Sequence, residues 1–181
     1  MKTISFLLLL MIPFEHYQAQ VMTAEEGRLY DLIMEYRKSR KLTVIPKSPS
    51  LTIVAHTHVL DLATNQPDKG QCNLHSWSAK GTWSPCCYTS DHGKASCMWK
   101  KPSELTDYKG NGYEISAWSS ESITPEQALS MWKGSPGHNA CVINSGMWKE
   151  PWQAIGVGIH DGYAVVWFGN EPDPLSDKAV K

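Results

Sequence analysis

The chain has little charge of either sign to spare. Seventeen Lys and Arg against 18 Asp and Glu leave a formal net charge of −1. No basic run or Arg-rich patch occurs, which excludes the electrostatic footprint of a nucleic-acid binder. Long apolar runs are also missing: the longest, Ile4 to Phe14, falls well short of the roughly 20 residues that a membrane span needs. No CxxC spacing is present, so a zinc site built on cysteines is disfavoured. No Gly-x-Ser-x-Gly elbow is present either, and Ser135-Pro136-Gly137-His138 follows a helix, where a nucleophile elbow follows a strand. Neither an internal repeat nor a second domain can be discerned.

What remains is informative about compartment. Lys2, the apolar Ile4–Phe14 stretch and a polar segment up to Gln20, with a cleavage site near Ala19, read as a signal peptide over residues 1–19. A secreted, extracellular chain of about 160 residues follows, enough for one domain with a core. That domain is expected over 23–170, with 171–181 a flexible tail carrying two prolines and charges. In an exported chain Cys72, Cys86, Cys87, Cys97 and Cys141 are most simply a disulfide framework. Five thiols make at most two bridges and leave one odd cysteine. Cys86 and Cys87, being adjacent, reach outward to Cys72, Cys97 or Cys141, and a bridge from Cys141 to this cysteine-rich stretch is favoured over a free thiol activated by His138.

Helices and strands can be placed by their end signals. Thr23 caps a first helix, with Glu26 closing a capping box. Leu29, Leu32, Ile33 and Tyr36 form its apolar stripe, and Arg37 to Lys41 a solvated, basic C-terminal end suited to the helix dipole. Ser48 caps a second helix with Pro49 in its first turn. There Leu51, Val54, Ala55, His58, Val59 and Leu62 keep helical spacing. His58 thus reads as a satisfied core histidine and His56 as lying on the other face. Residues 65–111 lack periodicity and are too long for an ordinary loop, unless the cysteines staple them. Thr124, Pro125 and Gln127 open a third helix, which the Ser135-Pro136-Gly137 turn stops. Ala154–His160 and Tyr163–Phe168 flank Asp161-Gly162 as a hairpin suited to a type I′ turn. Ile155, Val157 and Ile159 share one strand face, and Gly156 and Gly158 leave the other open to close approach. Among eight tryptophans, Trp77, Trp83, Trp99 and Trp118 lie between the histidine-bearing segments, either lining a groove for an apolar or sugar-like ligand or packing against the disulfides. His92 and His160 receive no role.

Four segments in this order carry a resemblance: the Leu51–Leu62 helix followed by His75-Ser76, then Gly112-Tyr113-Glu114-Ile115, then Trp132 with Ser135-Pro136-Gly137-His138 and Ile143-Asn144, then Ile155-Gly156-Val157-Gly158. Together they resemble the CAP superfamily (cysteine-rich secretory proteins, antigen 5 and pathogenesis-related proteins), closest to its bacterial-type branch. The resemblance implies an α/β fold, an α-β-α sandwich with a small, largely antiparallel sheet, here with a disulfide-stapled loop insert. It also implies a cleft holding His75, Glu114 and His138. From spacing alone the two histidines read as separate side chains near turns; the resemblance brings them together.

Two imidazoles and a carboxylate suit zinc or another divalent cation with a position left for water. The family's second cleft acid would follow Trp132, where this chain has Lys133 and Gly134. Glu121 or Glu126 would replace it only through a bend of the loop. A hydrolase also wants a general base, so the resemblance implies a binding or interaction module, for a lipid, a sterol or a protein partner, in a monomer or weak dimer. An extracellular metal-dependent hydrolase acting on peptide or cell-wall material is the alternative.

Overall fold

Both long helices begin where their caps place them. The computed structural model describes residues 22–176; the expected signal peptide and residues 177–181 lie outside the described residues. Helix α1, Ala24–Ser39, starts at Thr23 with both halves of the capping box formed. Helix α2, Pro49–Asn65, starts at Ser48, whose hydroxyl accepts from Leu51 N at 2.9 Å. Arg37 departs from expectation. It is buried, not solvated, and its guanidinium donates to the carbonyls of Val142 and Thr43 and to Asn144 Oδ1. Three acceptors replace the water it leaves, which is the condition for burying a cation.

Three strands form one antiparallel sheet in the order β1-β3-β2: β1 Gly112–Trp118, β2 Ala154–His160 and β3 Tyr163–Gly169. The central strand is buried along its whole length, so its two side-chain sets face two cores. Ala164, Val166 and Phe168 join α1 and the helix α5, Pro125–Gly134, while Tyr163, Val165 and Trp167 join α2 and the insert. This is the expected sandwich. On β2 the bare face does admit a neighbour: a Cβ on Gly158 would stand 2.7 Å from the Ala55 carbonyl, and one on Gly156 would fall within the backbone of Leu51 and Thr52. The hairpin turn is not type I′. Asp161 takes φ 50°, but Gly162 stays outside the left-handed region, and its lack of a side chain makes room for the Ser119 carbonyl instead.

Two further corrections concern local segments. Ser135-Pro136-Gly137 is not a turn: Ser135 ends α5 and Pro136 opens another helix, α6, Pro136–Val142. The described part of the expected loose tail is held, because buried Asp173 accepts from Ser48 Oγ, from Ser50 N and Oγ, and from Leu175 N. The insert between α2 and β1 carries two five-residue helices, α3 Ala95–Trp99 and α4 Lys101–Leu105. Its bridges are Cys72–Cys87 and Cys86–Cys97. Cys141 is therefore free, and it sits in the core beneath α1 and α5. The expected bridge to it does not form, since the four insert cysteines close short local loops of 15 and 11 residues. Among the described residues no helix is long and apolar enough to cross a membrane.

Candidate functional site

Alternation along the edge strand β1 decides where its carboxylate goes. Ile115 and Ala117 enter the core under α1, which turns Glu114 and Ser116 toward the α2 side of the sheet. The Glu114 side chain is fully buried there, and a buried carboxylate requires partners. One is His58, on the buried stripe of α2, whose Nδ1 meets Glu114 Oε1. The other is His75, whose Nδ1 donates to Glu114 Oε2 at 2.7 Å. Burial alone would push the Glu114 carboxyl up, but the two imidazoles outweigh it and hold the group below its ordinary value of 4.5.

Each histidine is fixed in turn. His58 Nε2 donates to the Ser76 carbonyl at 2.9 Å, and its ring stacks on Trp77 with centroids 4.3 Å apart. His75 lies on a bend tied to the insert: Asn73 N donates to the Tyr88 carbonyl, and Tyr88 N to Ser76 Oγ, both at 2.9 Å. The Cys72–Cys87 bridge closes the same bend. The cysteines thereby stiffen the segment that carries a cleft histidine.

His138 arrives from the opposite side, on the first turn of α6, half-buried and without a hydrogen-bonding partner among the described residues. Burial first, and the neighbouring His75 second, hold its imidazole below the ordinary 6.5, which favours the neutral ring. Cys141 stands one turn further along α6. Burial pushes its thiol well above the usual range, so no thiolate forms for His138 to activate.

His75, Glu114 and His138 all line one cavity of about 430 Å³, at the β1 edge between the insert and α6. Its walls are apolar and aromatic: Tyr88, Met98, Trp99, Tyr113, Met147 and Trp148. Tyr113 knits them, its ring 5.7 Å from Trp99 and 5.1 Å from Trp148. Of the four tryptophans singled out in the sequence, Trp99 alone lines this cavity. Trp77 is buried beneath His58, Trp83 packs on Trp77, and Trp118 is exposed beyond it. Trp148 and His92, to which the sequence gave no place, line it as well. Glu126 pairs with Arg28 on the surface at 3.0 Å, and neither it nor Glu121 reaches the cavity.

The donor set does not fit a three-ligand ion. Both Glu114 oxygens are engaged by imidazole nitrogens. Among the described residues no group of three or more His, Cys, Asp or Glu side chains is placed to hold a metal. An ion bound by His75, Glu114 and His138 would require His58 or His75 to leave the carboxylate.

No family model matches the chain, and no curated protein matches its sequence. Solved structures do match. An outer surface protein from Borrelia burgdorferi superposes with a TM-score of 0.56 at 20% identity, over 83% of this chain and 96% of that one. An extracellular protein containing a SCP domain, from Bacillus anthracis, gives 0.55 at 17% identity over 81% of this chain. A cysteine-rich secretory protein from Staphylococcus aureus gives 0.52 at 15% identity, again over 81%. This chain spans only 40% and 39% of the latter two. Likeness at these identities establishes architecture, and the architecture is the CAP-superfamily fold, the SCP domain, in its bacterial form.

Proposed function

We propose that this chain is an extracellular SCP-type binding module that takes a small, largely apolar ligand into the cavity between the insert and α6, with the ligand's polar end at His75 and His138. One observation carries the reading: a cavity of about 430 Å³ walled by aromatic and methionine side chains, with the histidines and the buried carboxylate at one pole. Its size lies within the roughly 300–1,000 Å³ of small-molecule sites, which typically combine apolar walls with a few placed polar groups. Export is supported by the two disulfides, which persist in oxidising compartments, and by the extracellular or surface descriptions of the matching structures.

The test is titration with the neutral, environment-sensitive probe N-phenyl-1-naphthylamine. The chain is expected to give a saturable rise in probe fluorescence. Replacing both Trp99 and Trp148 by alanine should weaken it by about tenfold or more, because each lost aromatic wall removes on the order of 1.5–3 kcal/mol of burial. A rise that never saturates, or one unchanged in the double variant, refutes the reading. Chelator-sensitive turnover of peptide or ester substrates, lost in Glu114→Gln, would replace it with the metal-dependent hydrolase.

A further inference from the structure

Hydrogen-bond chemistry around Glu114 fixes more than the position of the histidines. His58 Nε2 faces the Ser76 carbonyl, an acceptor that has no proton of its own, so that nitrogen carries a hydrogen. A neutral His58 would then present a bare lone pair at Nδ1, directly against Glu114 Oε1. Two lone pairs do not make so close a contact, and a proton lies between them. Wherever along the contact it rests, the His58–Glu114 pair carries no net charge. The ring's stacking on Trp77 and the Lys101 ammonium 5.3 Å from the Trp77 centroid leave no anion on that side to alter the balance.

Glu114 Oε2 accepts from His75 Nδ1, which is therefore protonated. A second proton on His75 would put an unbalanced cation into an apolar cavity, so Nε2 keeps its lone pair, and it has no protein partner among the described residues. Neither Lys nor Arg lines the cavity. The polar pole is thus two neutral imidazoles, with no fixed positive charge for an anion.

The geometry points to a specificity rule: His58, acting through Glu114, holds His75 as the Nδ1–H tautomer, and the cavity selects a neutral ligand whose head donates a hydrogen bond, an alcohol or phenol, over an apolar carboxylate of equal length. His58 is a positioning residue in this scheme. The inference rests on the cavity reading above for its ligand, but not for its proton arrangement.

Two measurements on the intact chain separate the claims. In competition against bound N-phenyl-1-naphthylamine at neutral pH, decan-1-ol is expected to displace the probe at a concentration at least about tenfold lower than decanoate, because a carboxylate entering the cavity loses water without gaining a cation. Equal displacement, or decanoate winning, overturns the specificity rule while leaving the cavity reading intact. Failure of any probe to bind overturns the cavity reading instead. Nitrogen-15 spectra of histidine-labelled protein read the arrangement without a ligand. They should show His75 protonated at Nδ1 alone, and a His75 protonated at Nε2 overturns the proposal whatever the ligands do.

Discussion

Glu114 and His58 depend on each other. Removing one member of a buried pair leaves the other desolvated and unpartnered, at a cost of about 3–5 kcal/mol, and His58→Ala is expected to destabilise the chain by that order at neutral pH. Acid should shrink the deficit. In the native chain the folded Glu114 carboxyl titrates below 4.5, so its contribution is complete above that value and drains away as pH falls through the lower folded one. Glu26, held low by His56 and the amides of Thr23 and Ile159 against its burial, behaves the same way. His138, also depressed, contributes stability present above 6.5 and lost below it. The native melting temperature should therefore fall steadily from neutral to acid pH. In His58→Ala the abandoned carboxylate prefers its proton, so the variant's disadvantage narrows toward pH 4. Denaturant unfolding of both chains at the two pH values checks this, and a constant gap would contradict the pairing. His58 was legible as a buried helix-stripe residue, yet its contact with Glu114 was not, because spacing along α2 says nothing about what β1 turns toward it.

Elements show which local rules competed. Caps at Thr23, Ser48 and Thr124 all formed as written in the sequence, since a side chain reaching an amide three residues on is a local interaction. Helix α6 escaped notice because Pro-Gly ordinarily marks a turn, whereas here Pro136 occupies the first position of a helix, where its missing N–H costs nothing. Helices α3 and α4, at five residues each, are too short to display a period. Arg37 was misread for a related reason: a basic residue near a helix end usually faces water, and only the distant Val142 and Asn144 turn it inward. The glycines of β2 were read correctly, and they make a demanding prediction. Gly156→Ala would force a methyl group into the Leu51 and Thr52 backbone, which cannot step aside as a side chain can. A loss of about 3 kcal/mol is expected, at the upper end for overpacking, with the neighbouring hairpin turn unaffected. Calorimetric unfolding of that variant beside Gly137→Ala, whose Cβ would meet nothing, gives the comparison.

At the scale of the whole molecule, a two-core sandwich and a stapled insert cooperate to assemble one cavity from remote segments. The sandwich was legible from periodicity together with resemblance. The pairing of the thiols was not, because the spacing of five cysteines admits many connectivities. Proteolytic mapping without reduction should return Cys72 linked to Cys87 and Cys86 linked to Cys97. Cys141 should resist iodoacetamide in the native state and react once the chain is unfolded, as a buried protonated thiol must. Alkylation of native Cys141, or any peptide joining it to the insert, would contradict this architecture. The clasp at Asp173 has a bearing on biogenesis. Its carboxylate seals the start of α2 across 125 positions of sequence, so the second helix waits, uncorked, until nearly the entire polypeptide has left the ribosome or the export pore. Maturation of this domain is accordingly a terminal event, and a premature stop even a few codons upstream of that aspartate would release a chain whose oldest half had never been locked.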